Sequence, residues 1–149
     1  MDIIAKIIPT NYDFEHLNLV DKKEIKELSE EKSIVKTSNH KSYYRDDSYK
    51  KVPVNIKIEY TKHAYNRIIH REICLKNVQN SIIRGISSIR KLSDSLYNDF
   101  KLYSNKYFIV IPCEAYFEKN VSLIRIRVKT AFVSPKPSYH NHEKMIYVN

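Results

Sequence analysis

Two histidines and two arginines fall within the stretch TKHAYNRIIHRE, Thr61 to Glu72. On a helix, His63, Arg67 and Arg71 stand at i, i+4 and i+8, with His70 beside them at i+7, so all four project to one side. Cations stacked this way repel by roughly 0.2–0.5 kcal/mol per pair unless an anion sits among them. Phosphate suits the set. The planar guanidinium fork matches phosphate oxygens, and imidazole titrates near neutrality, so it can take or give a proton. His63 also falls in the first turn, where backbone N–H groups favour anions. A metal-free ribonuclease needs these parts: a base for the 2′-hydroxyl proton, cations for the charge that builds on phosphorus, and an acid for the leaving 5′-oxygen. DNA lacks the 2′-hydroxyl, so this route requires RNA. The same spacing also describes a solvated basic face with a capping histidine.

The charge distribution points the same way. The chain has 149 residues and a formal net charge of +9. Residues 1–50 hold 9 basic and 10 acidic side chains, residues 51–134 hold 15 and 6, and residues 135–149 hold 2 and 1. The excess therefore lies in the middle segment, as expected for a partner such as nucleic acid. A single glycine excludes glycine-rich phosphate loops and the dinucleotide fingerprint. Cys74 and Cys113 lack metal-ligand spacing, and HNH at 140–142 is a run of letters rather than a dispersed ligand set. No secretory leader and no membrane-length apolar run is seen. The expectation is a cytoplasmic protein with reduced thiols, no cofactor, no metal and no membrane partner.

The elements that must hold these groups are partly legible. Residues 1–50 read as an extension: a short opening strand, a charged helix over LVDKKEIKELSEEK, and a tyrosine-bearing loop or linker from Thr37 to Lys51. Residues 51–134 read as a basic α+β domain, and residues 135–149 as a tail whose last apolar residues dock as an edge strand or stay free. Val54, Ile56 and Ile58 alternate with polar residues, which predicts a half-buried strand. Thr61 can cap the helix that follows, with Ala64 and Ile68 turned inward. Val78, Ile82 and Ile83 share a face of a second helix, ended by Gly85 in a left-handed conformation. ISSIRKL reads as a strand, SDSLYNDFKLYSN as an excursion, and Lys106 to Phe117 as a central strand covered on both faces with a bulge at Pro112. Val121 to Val133 alternates, with EKN as the preceding hairpin loop. The expected fold is two helices packed on one face of a mainly antiparallel sheet.

The block T-x-H-A-x-x-R-x-x-x-R-x-I, Thr61 to Ile73, followed by a helix with Val78 and Ile82 and then by Gly85, resembles the small prophage- and plasmid-borne family catalogued as domain of unknown function 4258. That family is similar to BrnT-type toxins and, more loosely, to the RelE/barnase-like ribonuclease fold. The resemblance covers about residues 56–133. It implies His63, Arg67 and Arg71 as active-site groups, Thr130 as the final-strand threonine, and an antitoxin as a partner. Cys74 departs from the family's Ser or Thr, and residues 1–50 have no counterpart.

Arg125, Arg127 and Lys129 line one face of a strand and span roughly 13 Å, a length over which a nucleic-acid backbone offers several phosphates. The competing role is a charged, soluble sheet face. Tyr43, Tyr44 and Tyr49 lie among Lys41, Arg45, Lys50 and Lys51, and such interleaving can stack unpaired bases, although an AT-rich coding sequence, which enriches Tyr, Asn, Ile and Lys, accounts for it more simply. Two functions fit. One is a small metal-independent endoribonuclease or toxin-like nuclease of phage or mobile-element origin. The other is a non-catalytic nucleic-acid-binding or host-defence-inhibiting phage protein.

Overall fold

The computed structural model describes residues 31–94, 98–136 and 144–149. The predicted opening strand, most of the charged helix, and the histidines at 140 and 142 lie outside the described residues. The chain divides into two compact units, Met1–Ser33 and Ile34–Asn149.

The second unit is α+β. Its elements run β1 (Ile34–Arg45), β2 (Lys51–Thr61), α1 (Lys62–His70), α2 (Leu75–Arg84), α3 (Ile86–Leu92), β3 (Asp99–Ser104), β4 (Ile109–Glu118), β5 (Leu123–Val128), β6 (Phe132–Val133) and β7 (Met145–Val148). The strands form one sheet in the order β1-β2-β5-β4-β3-β7, with β6 pairing β4 alongside Ile109 and Val110. The sheet is mixed: four of its six pairings are antiparallel, as expected, but β2 runs parallel to β5, and β3 parallel to β7. The β2–β5 pair is parallel because the chain leaves β2 through three helices and a hairpin before it returns. Three helices, not two, appear among the described residues, because ISSIRKL forms α3. Its buried Ile86 and Ile89 are three apart, which is a helical spacing.

All three helices cover one face. Ile56, Ile58 and Tyr60 of β2 join Ile124, Ile126 and Val128 of β5 in a single cluster, with Ala64 and Ile68 of α1 and Val78 and Ile82 of α2. Residues of the opposite parity point to the uncovered face. On β4 these are Val110, Pro112, Glu114, Tyr116 and Glu118; Val110 is buried, so the expected cover on both sides holds at the start of the strand and is lost toward Glu118. Pro112 needs no bulge. It pairs with Lys101, whose own N–H donates to the Lys144 carbonyl just before β7, so that side of the ladder asks for no Pro112 donor.

The segment expected to be a loop from Thr37 onward belongs instead to β1, paired in antiparallel register with β2 along its length. Its buried side is populated by His40, Ser42 and Tyr44, which carry little apolar periodicity. Tyr44 is held from the helix layer. The Arg90 guanidinium stacks 3.6 Å from the Phe117 ring centroid and 5.4 Å from that of Tyr44.

Gly85 ends α2 with φ −88°, not in the left-handed region. Its role is close approach: a Cβ there would sit 3.0 Å from Leu102 Cδ1 and 3.3 Å from Val148 Cγ1. The left-handed positions fall to Tyr49, Glu72, Phe108 and Ser122. Glu72 closes α1: its N–H donates to Ile69, and the next N–H, of Ile73, reaches back to Ile68.

This packing has two measurable consequences. Glu72→Gly relieves a left-handed non-glycine residue and is expected to raise the unfolding free energy by up to about 1 kcal/mol in a denaturant titration, less the chain entropy that glycine adds to the unfolded state. Burial, first of all, pushes the Cys113 thiol and the Tyr60 phenol far above their ordinary values of 9.0 and 10.0. The unfolded chain therefore loses these protons first, and stability present below pH 9 falls as pH rises beyond it, by up to about 1.4 kcal/mol per pH unit for each group. Denaturant midpoints between pH 8 and 11 measure the fall, and in Cys113→Val the decline begins nearer pH 10.

Candidate functional site

The site is built where β2 hands over to α1. Thr61 ends β2 in extended conformation, and its hydroxyl accepts from the Ala64 N–H at 3.0 Å, the cap its sequence position implies. The cap fixes the start of α1, and Ala64 and Ile68 fix its rotation by entering the core. His63, Arg67 and His70 are then exposed on the flank of the helix. Each i to i+4 step overshoots a full turn by about 40°, so the row winds toward the sheet as it descends. At Arg71 it arrives there. Arg71 Nη1 donates to Thr130 Oγ1 at 3.2 Å and to the Ala131 carbonyl at 2.7 Å.

That meeting depends on the sheet. Because β2 and β5 are parallel neighbours, with Glu59 opposite Arg127 and Tyr60 opposite Val128, the segment after β5 emerges beside the root of α1. Arg67 makes no ion pair among the described residues. Arg67 and His70 occupy the last turn of α1, where the negative end of the helix dipole offsets part of their repulsion. The end of the helix can therefore carry Arg67 without a described carboxylate beside it, which leaves Arg67 open to an external anion.

The strand residues are placed differently. Arg125 and Arg127 sit on the uncovered face, opposite to α1, so the sheet separates them from His63 and Arg67. They are also matched by carboxylates. Arg125 reaches Glu118 at 3.0 Å and Glu59 at 3.6 Å, Arg127 reaches Glu114 at 3.5 Å, and Lys129 pairs with Asp99. Tyr116 donates to Glu114 at 3.1 Å, and its own burial, followed by the Glu114 charge, raises its pKa. Glu59 is only 6% exposed, and its Oε1 accepts no hydrogen bond, so the Arg125 contact is ionic and imperfect. Three cations thus meet four carboxylates.

Sequence reasoning missed Glu59, Glu114, Glu118 and Asp99 as partners of this stripe. The signal for two of them is the alternation Glu114, Tyr116, Glu118 within an otherwise apolar strand. The pairing with Glu59 depends on a parallel register between segments more than sixty residues apart, and nothing local encodes it.

Among the described residues, no group of His, Cys, Asp and Glu is arranged to hold a metal, and no helix is long and apolar enough to cross a membrane. No family model, curated protein or solved structure matches the chain.

Arg71 has a structural duty that can be separated from chemistry. Thr130→Val removes one acceptor and leaves the Ala131 carbonyl in place, so stability should change by less than about 1 kcal/mol, whereas Arg71→Ala removes both bonds and should cost about 1–2 kcal/mol. Denaturant unfolding of the two variants distinguishes them. Equal losses would mean that the Thr130 contact, not the carbonyl, ties α1 to the sheet.

Proposed function

We propose that this chain is a small metal-independent endoribonuclease, a toxin-like nuclease of the kind carried by phages and mobile elements. His63 takes the 2′-hydroxyl proton, and the 2′-oxygen attacks phosphorus. The bond to the 5′-oxygen then breaks, and that oxygen leaves with a proton supplied by solvent water, to which the site is open. The products are a 2′,3′-cyclic phosphate and a 5′-hydroxyl. Arg67 and Arg71 hold the phosphate as its charge grows, and Thr130 positions it. His70 adds positive charge to the same flank. The observation that carries the proposal is the contact between Arg71 and Thr130, which are far apart in sequence and were both implicated by the family resemblance. An antitoxin of acidic surface would silence the protein by covering the α1 flank.

The second candidate is a non-catalytic nucleic-acid-binding or host-defence-inhibiting phage protein. It is favoured by the exposure of His63, Arg67 and His70 on a convex helix flank, a position that can grip a backbone without enclosing a scissile bond. In neither case do Arg125, Arg127 and Lys129 serve as free strand guides, since their charges are already matched.

Purified protein incubated with single-stranded RNA in excess chelator is expected to yield fragments ending in cyclic phosphate. His63→Ala and Arg67→Ala should reduce the rate by about 10²–10³. Tight binding without cleavage would hand the function to the second candidate. Variants that cut as fast as the parent would show the α1 assignment to be wrong.

A further inference from the structure

With the β5 stripe neutralised, the unmatched cations of the uncovered face lie one and two strands away, on the β1–β2 hairpin. Lys41 faces Asn55 and Tyr43 faces Pro53 across the antiparallel ladder, and Lys57 follows two residues after Asn55 on the same face. Among the described residues neither Lys41 nor Lys57 has an ion-pair partner, and β1 holds no acidic residue. Tyr43 is 57% exposed, so its ring is open to a partner. The Lys51 ammonium lies 5.6 Å from its centroid, covering one side of the ring. The ring also borders a hollow of about 340 Å³ whose wall includes Lys41, Pro53, Asn55 and Ser122 and no carboxylate. The floor is firm: Ser122 Oγ donates to the Pro53 carbonyl at 3.0 Å, and the Asn55 N–H donates to the Ser122 carbonyl at 2.9 Å.

An exposed aromatic ring beside a hollow of this size, with an amide at its edge and unmatched ammonium groups around it, suits an unpaired base joined to phosphate. The ring stacks on the base, the Asn55 amide can meet its polar edge, and Lys41 and Lys57 attract the backbone. We propose that the β1–β2 hairpin is a single-stranded nucleic-acid platform, with Tyr43 stacking a base in the hollow and Lys41 and Lys57 holding the adjoining phosphates. The proposal deepens the nucleic-acid function above by assigning its substrate-binding surface, and it separates that surface from the α1 flank.

The test uses the full chain and two labelled strands of one sequence, about 12 nucleotides long. One is a 2′-O-methyl oligoribonucleotide, which cannot be cut by 2′-attack, and the other is DNA. Fluorescence anisotropy is expected to show that Tyr43→Ala weakens binding about tenfold, the loss of one stacked base. Tyr43→Phe, which keeps the ring, should stay within about twofold. Lys41→Gln combined with Lys57→Gln should lower the slope of log K against log salt by about 1.4. Equal affinity for the two strands identifies base and phosphate as the ligand, and a preference for the 2′-O-methyl strand identifies RNA. If the Tyr43 and lysine variants bind like the parent while Arg67→Ala weakens binding, the platform is refuted and the α1 site stands. If they weaken binding but the parent never cuts RNA, the platform stands and the nuclease falls. If the parent binds neither strand, both fall.

Discussion

The parallel ladder between β2 and β5 is the constraint on which the rest of this molecule depends. It sets Ile56, Ile58 and Tyr60 beside Ile124, Ile126 and Val128, the middle of the buried cluster that orients α1 and α2. It also ends both strands at the same margin of the sheet. The helix that leaves β2 and the segment that leaves β5 therefore start side by side, and an arginine at the foot of one can reach a threonine in the other. Had β5 paired antiparallel to β2, the Thr130 end would have emerged at the opposite margin. No row on α1, however spaced, could then have met it.

The same ladder decides the fate of the charges. Parallel register puts Glu59 opposite Arg127 and within ionic reach of Arg125, while antiparallel pairing with β4 brings Glu114 and Glu118 from the other side. A carboxylate as buried as Glu59 is tolerable only with guanidinium neighbours, since an unpaired buried charge costs several kcal/mol. The centre of the uncovered face is thus an internally compensated lattice. The net charge of +9 has to be expressed elsewhere, and the α1 flank and the β1–β2 hairpin are two places where it is.

How much of this was legible in the sequence depends on which elements carry their own period. β2, α1, α2 and β5 pair a clean apolar repeat with a recognisable start, such as Thr61 before Ala64 and Ile68, and they form where the repeat places them, except that β5 stops at Val128 instead of running on to Val133. β1 was opaque because its inward side is His40, Ser42 and Tyr44, polar or amphipathic residues buried by long partners such as Arg90. α3 was opaque because seven residues offer only one helical repeat, Ile86 to Ile89, too short for a period to stand out. Turns were hard to see for a compositional reason. With one glycine available, and that one used for close packing, the left-handed positions are held by Tyr49, Glu72, Phe108 and Ser122, which carry no turn signature. For the site, the helical row could be read, but the Arg71–Thr130 contact needed a family resemblance, and the neutralisation of the β5 stripe needed the register.

The two positive surfaces lie on opposite faces of one sheet, and this limits how a single strand of nucleic acid could use both. It cannot pass through the sheet, so it must turn around a margin, and the margin shared by the hairpin and the α1 side is β1. Among the described residues that strand is an edge of twelve residues, from Ile34 to Arg45. A long exposed edge invites pairing with other chains, and proteins guard such edges with charge. Here the guard is Lys36, Lys41 and Arg45, with no acidic residue in between. Charges that repel a second copy of the same edge also attract a phosphate backbone passing over it. One run of side chains thereby meets two demands, guarding the edge and setting positive charge between the Tyr43 hollow and the α1 side.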